Sequence, residues 1–271
     1  MALKLLTLNI WNYSGPWSAR CARIRGWIER LQPDVIGFQE VLLGDTIDQL
    51  AQLTDGLAYP HTAYAAAQPF WLDASLAFGN AIASRWPLSS VDRLTLPDTG
   101  DQERRVALKA LIETPAGLLP FTSTHLHWKL HHGWVREQQV VALCDFARKP
   151  EAGATLPAVL VGDFNAEPHS TEIRYVTGLH AIGGRSVHFY DAWRLAGEGG
   201  EGSTWSNRND YARASFEPDR RIDYIFAGHP AANGAGRLAR CRVVCDDVSD
   251  GVWPSDHFGL VVELETAVVR G

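Results

Sequence analysis

The chain has few of the sequence features that mark membrane proteins, zinc ribbons or serine hydrolases. Its 271 residues include no apolar run long enough to cross a bilayer. The four cysteines are irregularly spaced, with a single C-x3-C pair at Cys241 and Cys245, which argues against a zinc ribbon and favours free, buried thiols. Neither a P-loop nor a Gly-x-Ser-x-Gly turn occurs, so the sequence indicates neither a Walker-type nucleotide site nor a serine nucleophile.

Positive charge is also scarce. The formal net charge is −6 at pH 7, only four of the 25 basic residues are lysines, and no Lys/Arg run occurs. Because proteins that hold many phosphates of duplex DNA usually present a basic surface, this composition argues against tight nonspecific binding of duplex DNA. The N-terminus lacks a signal-peptide cleavage site. We therefore expect a cytoplasmic location and no stable insertion into a membrane.

The overall composition, with 46% apolar and 21% charged residues, is typical of a globular protein. We expect a single domain over residues 1–271. Because hairpins are mixed with strand–helix–strand units, the pattern predicts an α+β fold with two packed, mixed β-sheets and outer helices. The predicted helices are 19–31, 46–53 and 134–148. The predicted strands are 3–10, 35–38, 59–65, 79–84, 105–113, 118–126, 158–162, 221–226, 239–246 and 258–264.

The most informative segment is residues 159–165, where an apolar strand breaks at Gly162 and is followed by Asp163 and Asn165. Residues two apart in an extended chain point the same way, so the carboxylate and the amide can face one site. An anionic acceptor beside a neutral amide suits a site that holds a hard cation and a phosphate oxygen. By itself, Gly-Asp-x-Asn is equally compatible with an ordinary turn after a strand.

Polar residues that suit phosphate chemistry also follow or lie within other apolar runs. They are Asn9, Glu40, His125, Asp223 and the pair Asp256-His257. Each has a structural explanation when taken alone: Asn9 could cap a turn, Glu40 could be a solvated acid, and Asp223 could pair with a neighbouring arginine. Buried carboxylates in strands need partners, however, and six such segments in one chain favour a shared site.

These residue types indicate which metal the shared site would hold. Glu40, Asp163 and Asp256 offer hard oxygen donors, and Asn9 and Asn165 offer neutral amides. A few oxygen ligands scattered over distant strands favour Mg²⁺ or Mn²⁺, with water and substrate oxygens completing the octahedron.

The alternative metal site is a dizinc hydrolase centre that starts from the H-x-H pair His125 and His127. Such centres usually add an Asp–His pair shortly afterwards. Here Lys129 stands two residues on, and a cation is a poor neighbour for two zinc ions. We therefore rank the zinc hydrolase below the magnesium site.

The motifs occur in the order Asn9, Phe38-Gln39-Glu40, Thr124-His125, Gly162-Asp163-Phe164-Asn165 and Ser255-Asp256-His257. This set resembles the endonuclease/exonuclease/phosphatase superfamily, which includes pancreatic-type deoxyribonucleases, abasic-site endonucleases, inositol polyphosphate 5-phosphatases and neutral sphingomyelinases. The resemblance covers nearly the whole chain, and the Gly-Asp-x-Asn and Ser-Asp-His pieces are the most specific. It implies a four-layer α/β/β/α sandwich.

The resemblance also implies a divalent-metal-dependent hydrolase that cleaves a phosphoester, preferably a phosphodiester, by in-line attack of an activated water. Glu40 is expected to bind Mg²⁺ or Mn²⁺, with Asn9 and Asp256 beside it. Asp163 is expected to orient or deprotonate the water, or to hold a second metal. Asn165 is expected to donate a hydrogen bond to the phosphoryl oxygen.

Three further residues take catalytic roles by the same resemblance. His257 is expected to contact the phosphate or the water, and Asp223 is expected to fix its tautomer, as a buried carboxylate does in a catalytic triad. His125 is expected to contact the phosphate from the other side.

The substrate is the open question. Nucleic acid, a phospholipid headgroup as in sphingomyelinases, and a small soluble phosphoester all remain candidates, and no protein partner is implied. We expect Arg85, Trp205 and Asn207 to bind substrate, with Trp71 and Arg105 as further candidates; Arg85 could instead be a structural ion-pair residue. A noncatalytic binding module on the same scaffold is the alternative from another functional class.

Overall fold

Two six-stranded sheets lie at the centre of the computed structural model, which describes residues 2–101 and 103–266. The strands are β1 (Ala2–Asn9), β2 (Val35–Leu43), β3 (His61–Phe70), β4 (Asp73–Ser84), β5 (Leu88–Thr95), β6 (Val106–Thr114), β7 (Gly117–His125), β8 (Val159–Asp163), β9 (Tyr190–Asp191), β10 (Asp223–Ala227), β11 (Leu238–Val244) and β12 (Gly259–Glu265). The helices are α1 (Trp17–Leu31), α2 (Gln49–Thr54), α3 (Gly133–Ala147), α4 (Thr171–Val176), α5 (Ala192–Ala196) and α6 (Asp210–Arg213).

Both sheets are mixed. The first has the order β11-β12-β1-β2-β4-β3, and the second has the order β5-β6-β7-β8-β10-β9. In the first sheet β1 runs parallel to β2 and antiparallel to β12, and in the second β8 runs parallel to β7 and antiparallel to β10. The predicted pair of packed mixed sheets is therefore confirmed.

Three apolar clusters separate the layers. The inner cluster joins Leu5 of the first sheet to Val161 of the second. The neighbouring residue Leu6 belongs to a second cluster under α1, and Leu160 belongs to a third cluster under α3 and α4. Because successive strand residues point to opposite faces, these consecutive apolar residues cover both faces of each sheet. The result is the predicted four-layer α/β/β/α sandwich.

The sheets bring the polar strand ends to one edge. Asn9 ends β1 opposite Gln39 of the parallel strand β2, and His125 ends β7 opposite Asp163 of the parallel strand β8. Asp223 begins β10, which runs antiparallel to β8, and it pairs with Asp163. Carboxyl ends of parallel strands and amino ends of antiparallel strands meet at the same edge of a sheet, so the connectivity alone gathers these residues.

Several predicted elements differ from the structure. The strand predicted at 59–65 lies at His61–Phe70, the short helix predicted at 46–53 lies at Gln49–Thr54, and β5 was not predicted. Most residues of β5 are exposed, so this edge strand lacks the apolar alternation that marks a half-buried strand. The helices α4, α5 and α6 have six residues or fewer, which is too short for a helical period to show in sequence.

The four cysteines are free and buried, as expected. Within the described ranges, none of the helices is both long enough and apolar enough to cross a membrane.

Candidate active site

A cavity of about 490 Å³ opens at the edge where the strand ends meet. Most of the predicted site residues line it: Glu40, His125, Asp163, Asn165, Trp205, Asp256 and His257. Asn9 and Asp223 lie directly behind this wall, where Asn9 bonds to Glu40 and Asp163, and Asp223 bonds to His257. Nine of the eleven predicted residues are therefore brought together.

A β-bulge turns Glu40 into the cavity. The register of β2 against β4 shifts between Phe38 and Val41, and Glu40 has a φ of 61°. A bulge places two residues opposite one and re-aims a side chain. Gln39 consequently stays in the core, where its amide donates to Ser123 Oγ at 3.0 Å. The positive φ of a residue other than glycine marks local strain at this position.

Two asparagines hold the carboxylates of the cavity. Asn9 Nδ2 donates to Glu40 Oε1 at 3.2 Å and to Asp163 Oδ2 at 3.0 Å, while Asn9 Oδ1 accepts the backbone N–H of Trp11. Asn12, which the sequence did not indicate, donates to Glu40 Oε2 at 2.7 Å. The amide nitrogen of Asn9 therefore faces the carboxylates of Glu40 and Asp163, and its oxygen faces the backbone N–H of Trp11.

Gly162 is required for the position of Asp163. Its φ is 145°, and a Cβ on it would lie 2.0 Å from the carbonyl oxygen of Thr124. Only glycine lets β8 approach β7 this closely at the point where the strand delivers Asp163 to the cavity.

The loop after β1 is held by Arg20, which sequence reasoning missed. Arg20 is fully buried and donates to five carbonyl oxygens, four in residues 10–14 and one on Pro254, which precedes Ser255-Asp256. Burial lowers its pKa to about 10, against the charges of Asp256 and Glu40. The available signal was an arginine among the apolar positions Trp17, Ile24 and Ile28 of α1.

His257 is held as an imidazolium. Its Nδ1 lies 2.9 Å from Asp223 Oδ2, and its Nε2 lies 3.7 Å from Asp163 Oδ2. Burial alone would lower the pKa of His257, but the charges of Asp223, Asp163 and Asp256 raise it well above its usual value. His257 therefore brings a positive charge and a directed N–H to the cavity.

His125 is held neutral. Arg105 Nη1 lies 3.1 Å from His125 Nδ1, and a guanidinium can only donate, so Nδ1 accepts and the ring proton is on Nε2. That Nε2 lies 3.4 Å from Asp163 Oδ2. Burial first, and then the charges of Arg105 and His257, lower the pKa of His125 well below its usual value. The two imidazoles of the cavity thus differ in protonation state: His125 is neutral and His257 is positively charged. Active sites that separate acid and base roles show the same kind of difference.

The donor set fits a hard divalent cation. Burial raises the pKa of Asp163 to about 7, with His257 opposing, and raises that of Asp256 to about 7, where His257 opposes and Glu40 adds to the rise. In both cases burial disfavours the charged carboxylate, and a cation bound beside it would offset that cost. Glu40, Asp163 and Asp256 line the cavity and offer the carboxylate oxygens that could hold Mg²⁺ or Mn²⁺.

We expect Asp256→Asn to make the metal-free protein more stable at pH 8 but not below pH 4. The folded-state pKa of Asp256 is about 7 and its reference value is 3.8. Between these values the folded protein binds a proton that the unfolded chain lacks, so stability falls as pH rises and the loss is complete above pH 7. Urea unfolding in EDTA measures the difference, which Mg²⁺ should abolish. If the free energy of unfolding depended on pH equally in the wild type and in Asp256→Asn, the expectation would be contradicted.

Two predicted substrate-binding residues lie away from the cavity. Arg85 follows β4 at the opposite end from the site, where its Nε donates to the carbonyl of Pro33 and its Nη2 to Gln32. Its Nε also lies 3.6 Å from Asp34 Oδ1, which agrees with the alternative that Arg85 is a structural ion-pair residue. Asn207 donates to the carbonyl of Glu217 and to Asp219, so it closes its own loop and does not reach the cavity.

Aromatic side chains form the rim of the cavity. Trp205 contacts His257 in a T-shaped arrangement with ring centroids 4.9 Å apart. The other rings that line the cavity are Trp11, Trp71, Phe78 and Trp128, and Arg105 and Arg220 lie among them. Arg105 Nε and Arg220 Nε are buried and have no hydrogen-bond partner within residues 2–101 and 103–266. Phe78 and Arg220 were not indicated by the sequence.

The H-x-H pair does not form one site. His125 lines the cavity, whereas His127 is fully buried outside it, within hydrogen-bond distance of Asp101 and His132. The two imidazoles therefore do not converge as a dizinc centre requires.

Known proteins share this architecture. The model of the Endonuclease/Exonuclease/phosphatase family matches residues 6–257. Nocturnin from Rattus norvegicus is 24% identical over 264 residues, covering 92% of this chain and 58% of nocturnin. Nocturnin from Xenopus laevis is 27% identical over 265 residues, covering 92% and 64%. The chain thus spans 58% of the length of the rat protein.

Solved structures give the same picture. An endonuclease/exonuclease/phosphatase from Beutenbergia cavernae DSM 12333 superposes with a TM-score of 0.73 at 25% identity, covering 97% of this chain and 71% of that one. D. rerio TDP2 complexed with a single strand DNA product superposes with a TM-score of 0.77 at 18% identity, covering 97% and 99%. The second likeness concerns the fold alone.

Proposed function

The chain belongs to the endonuclease/exonuclease/phosphatase family of phosphoester hydrolases, and we propose that it is a divalent-metal-dependent phosphodiesterase that works by in-line attack of water. One observation carries the proposal: Glu40, Asp163 and His257, which are far apart in sequence, meet in one cavity that combines carboxylate oxygen donors with an imidazolium. Phosphoryl transfer needs this combination of positioning and charge more than it needs a protein nucleophile.

Glu40 and Asp256 are the proposed ligands of Mg²⁺ or Mn²⁺, and Asp163 could hold a second ion. Such an ion, when bound, would balance negative charge on the phosphate oxygens and on the leaving group. Asn9 and Asn12 would keep Glu40 oriented, because their amide nitrogens donate to its two oxygens.

Asp163 is the proposed general base for the attacking water. Its raised pKa of about 7 suits a group that takes a proton near neutral pH. Asn165 donates one amide hydrogen to the carbonyl of Leu126, which leaves the second hydrogen for a phosphoryl oxygen. The two imidazoles would flank the phosphate: charged His257, held by Asp223, and neutral His125, whose Nε2–H can donate to a nonbridging or leaving oxygen.

The proposal is tested by hydrolysis of bis-p-nitrophenyl phosphate. We expect turnover that requires Mg²⁺ or Mn²⁺, stops with EDTA and returns when the metal is restored. Folded protein that hydrolyses no phosphoester under these conditions would instead support a noncatalytic binding module.

Single-stranded nucleic acid or a nucleotide is the proposed substrate class. The tryptophans of the rim can stack on bases, and Arg105 and Arg220, which line the cavity, bring positive charge that suits a backbone phosphate. The complex of D. rerio TDP2 with single-stranded DNA supports this choice.

The buried free thiols support the proposed cytoplasmic location, because such thiols persist in a reducing compartment.

A phospholipid headgroup is the second candidate, and one observation favours it. The β3–β4 hairpin ends in Trp71 and Leu72, which are 60% and 77% exposed beside the cavity. An aliphatic side chain does not stack on a base but can enter a lipid surface without spanning it. In the same assay, a choline phospholipid in vesicles is compared with a single-stranded oligonucleotide. If lipid is the substrate, Leu72→Ser should slow only the vesicle reaction.

A further inference from the structure

A second group of potential metal ligands lies behind the wall of the cavity. It consists of Asp101, in the segment between β5 and β6, and of His127 and His132, which precede α3. His127 Nε2 lies 3.3 Å from Asp101 Oδ2 and 3.1 Å from His132 Nδ1. His132 Nδ1 lies 3.7 Å from Asp101 Oδ2. None of the three residues lines the catalytic cavity.

Hydrogen bonding in this arrangement has to share one ring position of His127 between two partners. His127 Nε2 carries either one proton or one lone pair, yet it faces a carboxylate oxygen and an imidazole nitrogen together. Zinc–ligand bonds of about 2.0–2.2 Å in a tetrahedron place neighbouring ligand atoms roughly 3.3–3.5 Å apart. The three measured separations span that value.

We propose that Asp101, His127 and His132 form a binding site for Zn²⁺ or a similar transition-metal ion, distinct from the catalytic cavity. Two imidazole nitrogens and one carboxylate oxygen favour a transition metal over Mg²⁺, which prefers oxygen ligands. Three protein ligands leave the fourth tetrahedral position for water.

Lys129 opposes the metal and makes the site tunable. Its ammonium lies 2.7 Å from Asp101 Oδ2, so it competes with a metal ion for the same oxygen. Its backbone N–H lies 3.3 Å from His127 Nδ1, and that weak hydrogen bond is lost when Nε2 binds a metal and the ring proton moves to Nδ1. Occupancy therefore depends on the concentration of free metal.

The site would clamp two segments that build the catalytic cavity. On one side, Glu103, two residues after Asp101, accepts a hydrogen bond from Arg105, whose guanidinium also lies against His125. On the other side, Trp128 follows His127 and lines the rim. A metal ion here would fix the positions of Arg105 and Trp128 without contacting a substrate in the cavity.

The test uses the full chain, stripped of metal and returned to excess Mg²⁺ so that sites with oxygen ligands are filled. Titration with Co²⁺ is expected to give the strong visible absorption of tetrahedral cobalt at about one equivalent per chain. His132→Asn should lose this absorption. His131→Asn, which changes the adjacent exposed histidine, is the matched control and should keep it.

Lys129→Met should bind Co²⁺ about tenfold more tightly, because the competing cation next to the ligand oxygen is removed. Circular dichroism establishes that each variant is folded; if His132→Asn does not fold, Asp101→Asn tests the site from the other segment. The proposal is overturned if neither the wild type nor Lys129→Met gives tetrahedral absorption. Equal loss in His131→Asn and His132→Asn would also overturn it. Neither measurement depends on turnover.

Discussion

Asp163→Asn is expected to lower kcat for phosphodiester hydrolysis by about 10³-fold, in line with the loss of a general base. Asp163 is buried, and its oxygens accept from Asn9 Nδ2 at 3.0 Å and from the backbone N–H of Asn165 at 2.8 Å. Asparagine has nearly the same shape but cannot take a proton from water. The asparagine also replaces one carboxylate oxygen by an NH2 group. That group would face the NH2 group of Asn9, which now donates to Asp163 Oδ2.

The matched control is Asp92→Asn, which makes the same chemical change on the exposed strand β5 and should keep full activity. Steady-state kinetics with saturating Mg²⁺ and thermal unfolding separate a catalytic loss from a folding loss. Retention of more than about a tenth of kcat by folded Asp163→Asn would show that Asp163 is not the base.

Asp223→Asn is expected to lower kcat by about 10²–10⁴-fold through His257. Asp223 accepts from His257 Nδ1 at 2.9 Å and is one of the carboxylates that raise the pKa of this histidine. An asparagine removes the negative charge and can present an N–H to Nδ1, which favours the wrong tautomer. His257 would then become neutral at a lower pH and lose the positive charge that faces the phosphate.

The sign of the pH effect distinguishes this role from a structural one. In the wild type, protonation of the base Asp163 sets the acidic limb of the profile, and His257 stays charged until the pH exceeds its raised pKa, so the loss due to His257 should appear only at alkaline pH. In Asp223→Asn that alkaline limb should move to lower pH, with part of the activity recovered as the buffer becomes more acidic. The pH dependence of kcat/KM measures the shift. An unchanged profile with reduced kcat would mean that Asp223 acts only by supporting the fold.

Much of the site could be predicted because its residue types stand directly after apolar strands. Asn9, His125 and Asp163 each end a strand, and parallel pairing brings such ends to one edge. Apolar runs likewise predicted both sheets, since consecutive apolar residues are needed where both faces of a sheet are covered.

Other features left no signal in the sequence pattern. The bulge that turns Glu40 depends on how β2 pairs with β4, and a register shift between two strands has no residue signature here. Asn12 reaches Glu40 only because Arg20 holds the intervening loop. Arg85 and Asn207 were chosen as polar residues near predicted site segments. Arg85 donates its hydrogen bonds to Pro33 and Gln32, away from the cavity. Asn207 donates its hydrogen bonds to Glu217 and Asp219 within its own loop.

The order of motifs in the chain carried the resemblance to the family, and that resemblance implied the four-layer sandwich. The residue types that end the strands predicted the oxygen-rich site, and the apolar runs predicted two packed, mixed sheets. The charge states of the two histidines that line the cavity were not encoded in that order. His125 and His257 are the same residue type, yet one packs against the guanidinium of Arg105 and the other against the carboxylate of Asp223. A pKa depends on distances to charges that folding brings from remote parts of the chain, so only the folded molecule makes one imidazole neutral and the other positive.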